Sequence, residues 1–145
     1  KVIAIGTDKA VAPLNTYGTT KLLMERLFVS ANYYKGNHKT SFTCVRYGNV
    51  LGSRGSIVPL FVKQIKNNQN VTVTDPTMTR FNITMDKALD LILRAIENGK
   101  GGEIFIPKLK AYKVGDIKDA IIQLVNKNTE TEITKVKPVE KYHES

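Results

Sequence analysis

The sequence predicts an α/β fold. Short apolar, β-branched runs recur along it, and stretches with three- and four-residue apolar spacing separate them. The first run, Val2-Ile3-Ala4-Ile5, is continuous rather than alternating, as in a strand buried in a parallel sheet. Strands alternating with helices in this way imply right-handed crossovers.

The elements follow in order. Val2 to Ile5 is a strand ending at Gly6. Pro13 and Asn15 punctuate the chain, and from about Tyr17 to Tyr34 the pattern is helical, with Leu23, Met24, Leu27, Phe28 and Ala31 on the inward side. Gly36-Asn37-His38 stops it. Ser41 to Val50 reads as a strand running into a glycine-rich loop, and Pro59 opens a helix with Phe61, Val62 and Ile65 on one side. Residues 67–70 form a turn and 71–74 a short strand. Asp86 is the expected N-cap of a helix carrying Ala88, Leu91, Ile92, Ala95 and Ile96 inward, stopped by Gly99. A strand at 103–106 precedes a helix from Asp116 to Asn126, with Ile117, Ala120, Ile121, Leu124 and Val125 inward, and 131–136 reads as a last strand.

Composition bounds the function. With 41% hydrophobic and 24% charged residues over 145 positions, the chain can bury a core and is not disordered. Its one cysteine, Cys44, excludes an intrachain disulfide and fits a reducing, cytoplasmic setting. No apolar run reaches the roughly 18 residues of a membrane span. The opening residues read as the inside of a strand rather than a signal peptide. The net charge of +9 suits a polyanionic partner, and equally a Lys- and Asn-rich solvated surface.

Five constellations carry chemistry. Tyr17-Gly18-Thr19-Thr20-Lys21 places a phenol and an ammonium on one helix face. An ammonium beside a phenol stabilises the phenolate, which can then take a proton from a substrate hydroxyl. Alone the pair is weak evidence, because Tyr and Lys four apart recur by chance. Thr7-Asp8-Lys9 follows the first strand, where ligands of open α/β sheets bind; taken alone, a capped turn with a surface ion pair is the better reading. Arg46-Tyr47-Gly48-Asn49-Val50-Leu51-Gly52-Ser53-Arg54-Gly55-Ser56 offers glycines for close backbone approach, Asn49 for a sugar or amide, and Arg46 and Arg54 for phosphate. Thr77-Met78-Thr79-Arg80-Phe81 sets a guanidinium among hydroxyls, which suits a diphosphate. Lys137-Pro138-Val139-Glu140-Lys141 is by itself only a basic tail. No G-x-G-x-x-G turn occurs anywhere.

The order of these pieces is more specific than any one of them. From Ile3 to about Glu140 the string resembles the UDP-N-acetylglucosamine 4,6-dehydratases, extended short-chain dehydrogenase/reductases of polysaccharide biosynthesis. It looks most like their soluble, C5-inverting branch of the pseudaminic acid pathway, on the evidence of Tyr17 and of Gly101 to Pro107.

The resemblance implies NADP, or NAD, as a catalytic hydride carrier, a UDP-sugar substrate, no metal, no nucleic acid or membrane partner, and a homo-oligomer at full length. It assigns Tyr17 to the sugar 4-hydroxyl and Lys21 to Tyr17 and the nicotinamide ribose. Lys9 would remove the C5 proton, Asp8 would protonate the departing 6-hydroxyl, and Thr7 would polarise the 4-keto oxygen. Tyr47, Gly48, Asn49 and Val50 would lie along the cofactor, with Asn49 also on the sugar nucleotide. Val58 and Pro59 would lie near the uracil. Arg80, Lys137 and Glu140 would hold the substrate's diphosphate end.

The resemblance further implies that residues 1–55 are the C-terminal part of a Rossmann-like cofactor domain. Residues 56–145 would be mainly a small substrate-binding α/β portion, interleaved with returning Rossmann elements. The family's early βαβ units have no counterpart, so the expectation is the C-terminal part of a longer enzyme, inactive alone. Three positions depart from the family pattern. Gly6 stands where Ser is common and Asn82 where an aromatic is common. Lys137 replaces an Arg, which keeps the charge but loses the fork.

Two alternatives stay open. A UDP-sugar epimerase shares Y-x-x-x-K but lacks the Asp-Lys pair. A non-catalytic basic module would need basic residues clustered on one face among aromatics, whereas the lysines here are spread along the chain.

Overall fold

The computed structural model describes all 145 residues, Lys1–Ser145. Its strands are β1 (Val2–Thr7), β2 (Phe42–Tyr47), β3 (Asn49–Val50), β4 (Val71–Val73), β5 (Thr79–Ile83), β6 (Ile104–Phe105), β7 (Ala111–Lys113) and β8 (Thr131–Ile133). Its helices are α1 (Thr16–Tyr34), α2 (Ile57–Lys66), α3 (Met85–Asn98) and α4 (Val114–Val125), and a 3-10 turn covers Asp8–Ala10. The chain divides into two units.

The first unit comprises Lys1–Gly48, Ile83–Leu109 and Ser145. It holds a parallel sheet in the order β1-β2-β6, in which Gly6 pairs with Arg46 and Thr7 with Tyr47. Side chains alternate across a strand, and this sorts the helices. Phe42 meets Phe28 of α1 edge-on at 5.9 Å and Arg46 meets Glu25, so α1 covers their face. Thr43 projects from the other face toward Gly99 at the end of α3. Lys1 Nζ caps that end by donating to Ile96 O at 2.5 Å and Glu97 O at 3.0 Å, a cation where a helix C-terminus favours one.

The second unit comprises Asn49–Asn82 and Lys110–Glu144. One sheet runs β3-β5-β7, with β5 and β7 antiparallel, and β4 pairs with β8 in parallel. Phe61 and Ile65 of α2 and Val114 and Ile121 of α4 close over Val71, Val73 and Met78 in one buried cluster.

The α/β class holds, and several details differ from the sequence reading. Asn15, not the Tyr17 region, starts α1: its Oδ1 accepts from Gly18 N at 2.8 Å. Leu23 and Leu27 are exposed, because α1 turns Gly18 and Glu25 to the sheet instead. Thr84 rather than Asp86 caps α3, its hydroxyl accepting from Lys87 N, which leaves Asp86 in the first turn. Ile96 faces outward on α3. On α4, which begins at Val114, the buried phase is Val114, Ile117 and Ile121, so Ala120, Leu124 and Val125 are exposed. Pro59 is the third residue of α2, where a missing N–H still costs no helical bond. Ser41 to Val50 is interrupted at Gly48, the turn after β1 is a Thr7-capped 3-10 helix, and β7 is a short strand that the sequence pattern does not mark.

Candidate active site

In the first unit the carboxyl end of β1 runs into the 3-10 turn. Thr7 caps it: its hydroxyl accepts from Lys9 N at 3.4 Å and donates to Asp8 Oδ1 at 3.0 Å. Lys9 Nζ donates to the same oxygen at 3.1 Å. The ion pair is not a surface one, since Asp8 is 5% exposed. Its Oδ2 is buried with no hydrogen-bond partner.

Helix α1 is brought to this turn by Gly18. A Cβ there would overlap Lys9 O and lie 2.9 Å from Pro13 Cβ, so only glycine lets the helix rest on the turn. Ala12, at φ 40°, holds left-handed backbone just before Pro13 and makes the bend possible. Tyr17 and Lys21 therefore stand on the first turns of α1, at the carboxyl end of β1. Lys21 Nζ lies 6.0 Å from the Tyr17 ring centre and donates to Ile5 O at 3.0 Å. Tyr17 is half-exposed. Tyr47 stands beside Thr7 in register at the end of β2. Burial pushes its phenol above the usual value, and the neighbouring Tyr17 adds to this, so Tyr47 is a neutral hydroxyl. Gly48 is buried next to it.

Arg46 is not available for phosphate. Its Nε and Nη2 donate to the two carboxylate oxygens of fully buried Glu25, at 3.0 and 2.5 Å. Sequence reading missed both Glu25 and Gly18. The signal for Gly18 was a glycine inside a helical pattern, which implies a packing reason. For Glu25 it was a carboxylate one turn beyond Lys21, on the Tyr17 face.

The second unit holds the residues assigned to the substrate. Asn49 and Val50 form β3, and Val50 O accepts from Ser53 N at 3.2 Å to close the turn that leads to α2. Val58 is partly buried and Pro59 exposed in the first turn of that helix. Arg80, on β5, is held by the C-terminal segment. Its Nη1 donates to Tyr142 O at 3.2 Å, and its Nη2 lies 3.4 Å from Glu140 Oε1. Lys137 is exposed, and its carbonyl accepts from Glu140 N at 2.9 Å. Asn82 accepts from Tyr112 Oη at 3.0 Å, so here a polar pair occupies the position where the family pattern has an aromatic.

A parallel sheet whose strand ends carry a Thr-Asp-Lys turn and a helix-borne Tyr-x-x-x-Lys has the fold of the extended short-chain dehydrogenase/reductases. Solved structures agree. Pen from Bacillus thuringiensis matches with a TM-score of 0.93 and 46% identity, over 97% of this chain and 45% of that one. UDP-glucuronic acid 4-epimerase from Bacillus cereus, in complex with UDP-glucuronic acid and NAD, matches with a TM-score of 0.83 at 23% identity, over 98% and 51%. The chain belongs to the polysaccharide biosynthesis protein family, whose model matches residues 1–145.

Among sequence relatives, the inverting UDP-N-acetylglucosamine 4,6-dehydratase of Campylobacter jejuni is 44% identical over 99% of this chain and 42% of its own length. A UDP-glucose 4-epimerase of Rickettsia bellii is 41% identical over 100% and 42%. An uncharacterized membrane protein of Methanocaldococcus jannaschii is 53% identical over 85% and 37%. The chain thus spans about two fifths of the length of the curated relatives it matches. No helix here is long and apolar enough to cross a membrane.

Proposed function

We propose that the protein is a sugar-nucleotide 4,6-dehydratase that removes water from UDP-N-acetylglucosamine and inverts C5. The observation that carries this reading is the Thr7–Asp8–Lys9 turn, in which buried Asp8 is held by Lys9 at the strand end beside the Tyr17 and Lys21 helix. Oxidation at C4 alone needs only the tyrosine and lysine; elimination across C5 and C6 needs a further base and acid, and Lys9 and Asp8 supply both types.

These residues fit the reactive end of a nicotinamide dinucleotide. Tyr17 and Lys21 occupy the strand-end position at which open α/β sheets take ligands. When bound, NADP or NAD supplies an acceptor that takes the C4 hydride and gives it back at C6. Tyr17 takes the proton of the 4-hydroxyl, and Lys21 orients Tyr17 and holds the ribose. Thr7 hydrogen-bonds the resulting 4-keto oxygen, which acidifies the C5 proton. For this step the ammonium proton passes from Lys9 to Asp8 along their hydrogen bond; neutral Lys9 would then remove the C5 proton, Asp8 would give its proton to the departing 6-hydroxyl, and C5 would take a proton from solvent on the opposite face. Tyr47, Gly48, Asn49 and Val50 line the cofactor and sugar, Val58 and Pro59 the uracil. Arg80, Lys137 and Glu140 serve the diphosphate end, with Glu140 giving up Arg80 as phosphate arrives.

The relatives' names divide between dehydratase and epimerase, and the Asp8–Lys9 pair favours the dehydratase. The test uses the full-length protein with UDP-N-acetylglucosamine. The reading predicts a 4-keto-6-deoxy product, abolished by Tyr17→Phe and by Lys9→Ala. A wild type that makes none, or variants that make as much, would overturn it.

A further inference from the structure

Beneath the carboxyl ends of β1 and β2 lies an ion pair that the scheme above does not use. Glu25 on α1 is wholly buried, and Arg46 on β2 donates to both of its oxygens. A two-point fork of this kind fixes orientation as well as distance. Gly6 of β1 pairs with Arg46 in register and faces the same helix. A Cβ on residue 6 would lie 2.9 Å from Glu25 Oε1 and 2.6 Å from Val45 O, so bare backbone at Gly6 lets the carboxylate lie against β1. The pair thus bonds α1 to β2, and the bare backbone of Gly6 lets the same carboxylate pack closely against β1.

A buried ion pair is a poor source of stability, because desolvation offsets most of the attraction. What it supplies is direction, and its neighbours show what is directed. Tyr17, Lys21 and Glu25 are successive four-residue steps on one helix face. Lys21 Nζ bonds Ile5 O, the residue before Gly6. Arg46 precedes Tyr47, which pairs with Thr7. Any slip of the pair moves Tyr17 and Lys21 relative to the strand end that carries Thr7, Asp8 and Lys9.

We propose that Glu25 and Arg46 are positioning residues, which lock α1 against β1 and β2 so that Tyr17 and Lys21 keep their place beside the Thr7–Lys9 turn. The proposal rests on the reading of those five residues as the reacting group.

Two variants of the full-length protein test it. Glu25→Gln keeps the shape and removes the charge. The double variant Glu25→Leu with Arg46→Met keeps the volume and burial without the fork, and such apolar replacements fold as well as the ion pairs they replace. In the double variant we expect a Tm close to wild type, a kcat lower by roughly 10- to 100-fold, and a KM for UDP-N-acetylglucosamine within about twofold. A crystal structure of it should show Lys21 Nζ beyond hydrogen-bond distance of Ile5 O. A double variant that keeps kcat, KM and the Lys21–Ile5 bond overturns the proposal, and so does a loss confined to Tm in Glu25→Gln. A wild type inert toward UDP-N-acetylglucosamine defeats the dehydratase reading instead, and the crystal structure then decides the positioning role: Lys21 displaced supports it, Lys21 in place overturns it.

Discussion

Gly18 sits inside a helix, where alanine is intrinsically better by about 1 kcal/mol. The close approach of Lys9 O and Pro13 reverses that preference. Gly18→Ala should therefore lower stability by about 1–3 kcal/mol, as overpacking does, and a thermal melt reads the sign directly. Cys44 gives a second single-residue prediction. Burial, with a smaller push from Glu25, raises its thiol to about 11. Because the thiol is also wholly buried, at pH 8 it should react with iodoacetamide at least roughly 100-fold more slowly in the folded protein than after unfolding in urea. Mass spectrometry of timed samples measures the rate. At this scale the motif residues were legible and their partners were not. The order of the motifs singled out Thr7, Asp8, Lys9, Tyr17 and Lys21 as candidates, and the fold sets all five at the carboxyl end of β1 or on the first turns of α1. That Asp8 is buried, and that Arg46 is committed to Glu25, depends on which face each strand and helix turns inward.

Helix and strand periods were legible, but their phases were not. The apolar spacing placed α1 and α4 correctly, yet Leu23, Leu27 and Leu124 point outward. The reason on α1 is that Gly18 and Glu25, neither an apolar signal, take the inward positions. Strand β5 opens on two polar residues, Thr79 and Arg80, and has no sustained alternation or apolar run, and β7 is three residues long, so neither gave a distinct signal. The glycine turn before β6 is held by Glu103, which accepts from Lys100 N at 3.0 Å and Gly101 N at 2.7 Å. Burial pushes this carboxyl up, but those bonds and the Thr43 hydroxyl outweigh it and hold it below its ordinary 4.5. A depressed folded value stabilises the fold above the unfolded value, and that stability is lost as pH falls through the folded value. The wild type should thus lose more stability below about pH 4.5 than Glu103→Gln, as paired acid titrations of Tm would show. In the second unit, Phe61 is 2% exposed at the centre of its cluster, and Phe61→Ala should cost about 3–5 kcal/mol in a denaturant melt.

For the whole molecule, the charge of +9 acquires a partial explanation. Some of the cations are already engaged. Lys1 caps α3, Arg46 pairs with Glu25, and Arg80 contacts Glu140. Family membership and fold rest on the matches over the full chain, and the proposed chemistry rests on the Thr7–Asp8–Lys9 turn. The central claim is that this turn eliminates water through C5, which epimerisation leaves untouched. The most direct measurement is the mass spectrum of the product formed by the full-length protein from UDP-N-acetylglucosamine in D2O. A product that has lost one water and carries one carbon-bound solvent deuterium at C5, read before the 4-keto group enolises, is the predicted result. A product of unchanged mass with no deuterium on carbon would contradict it.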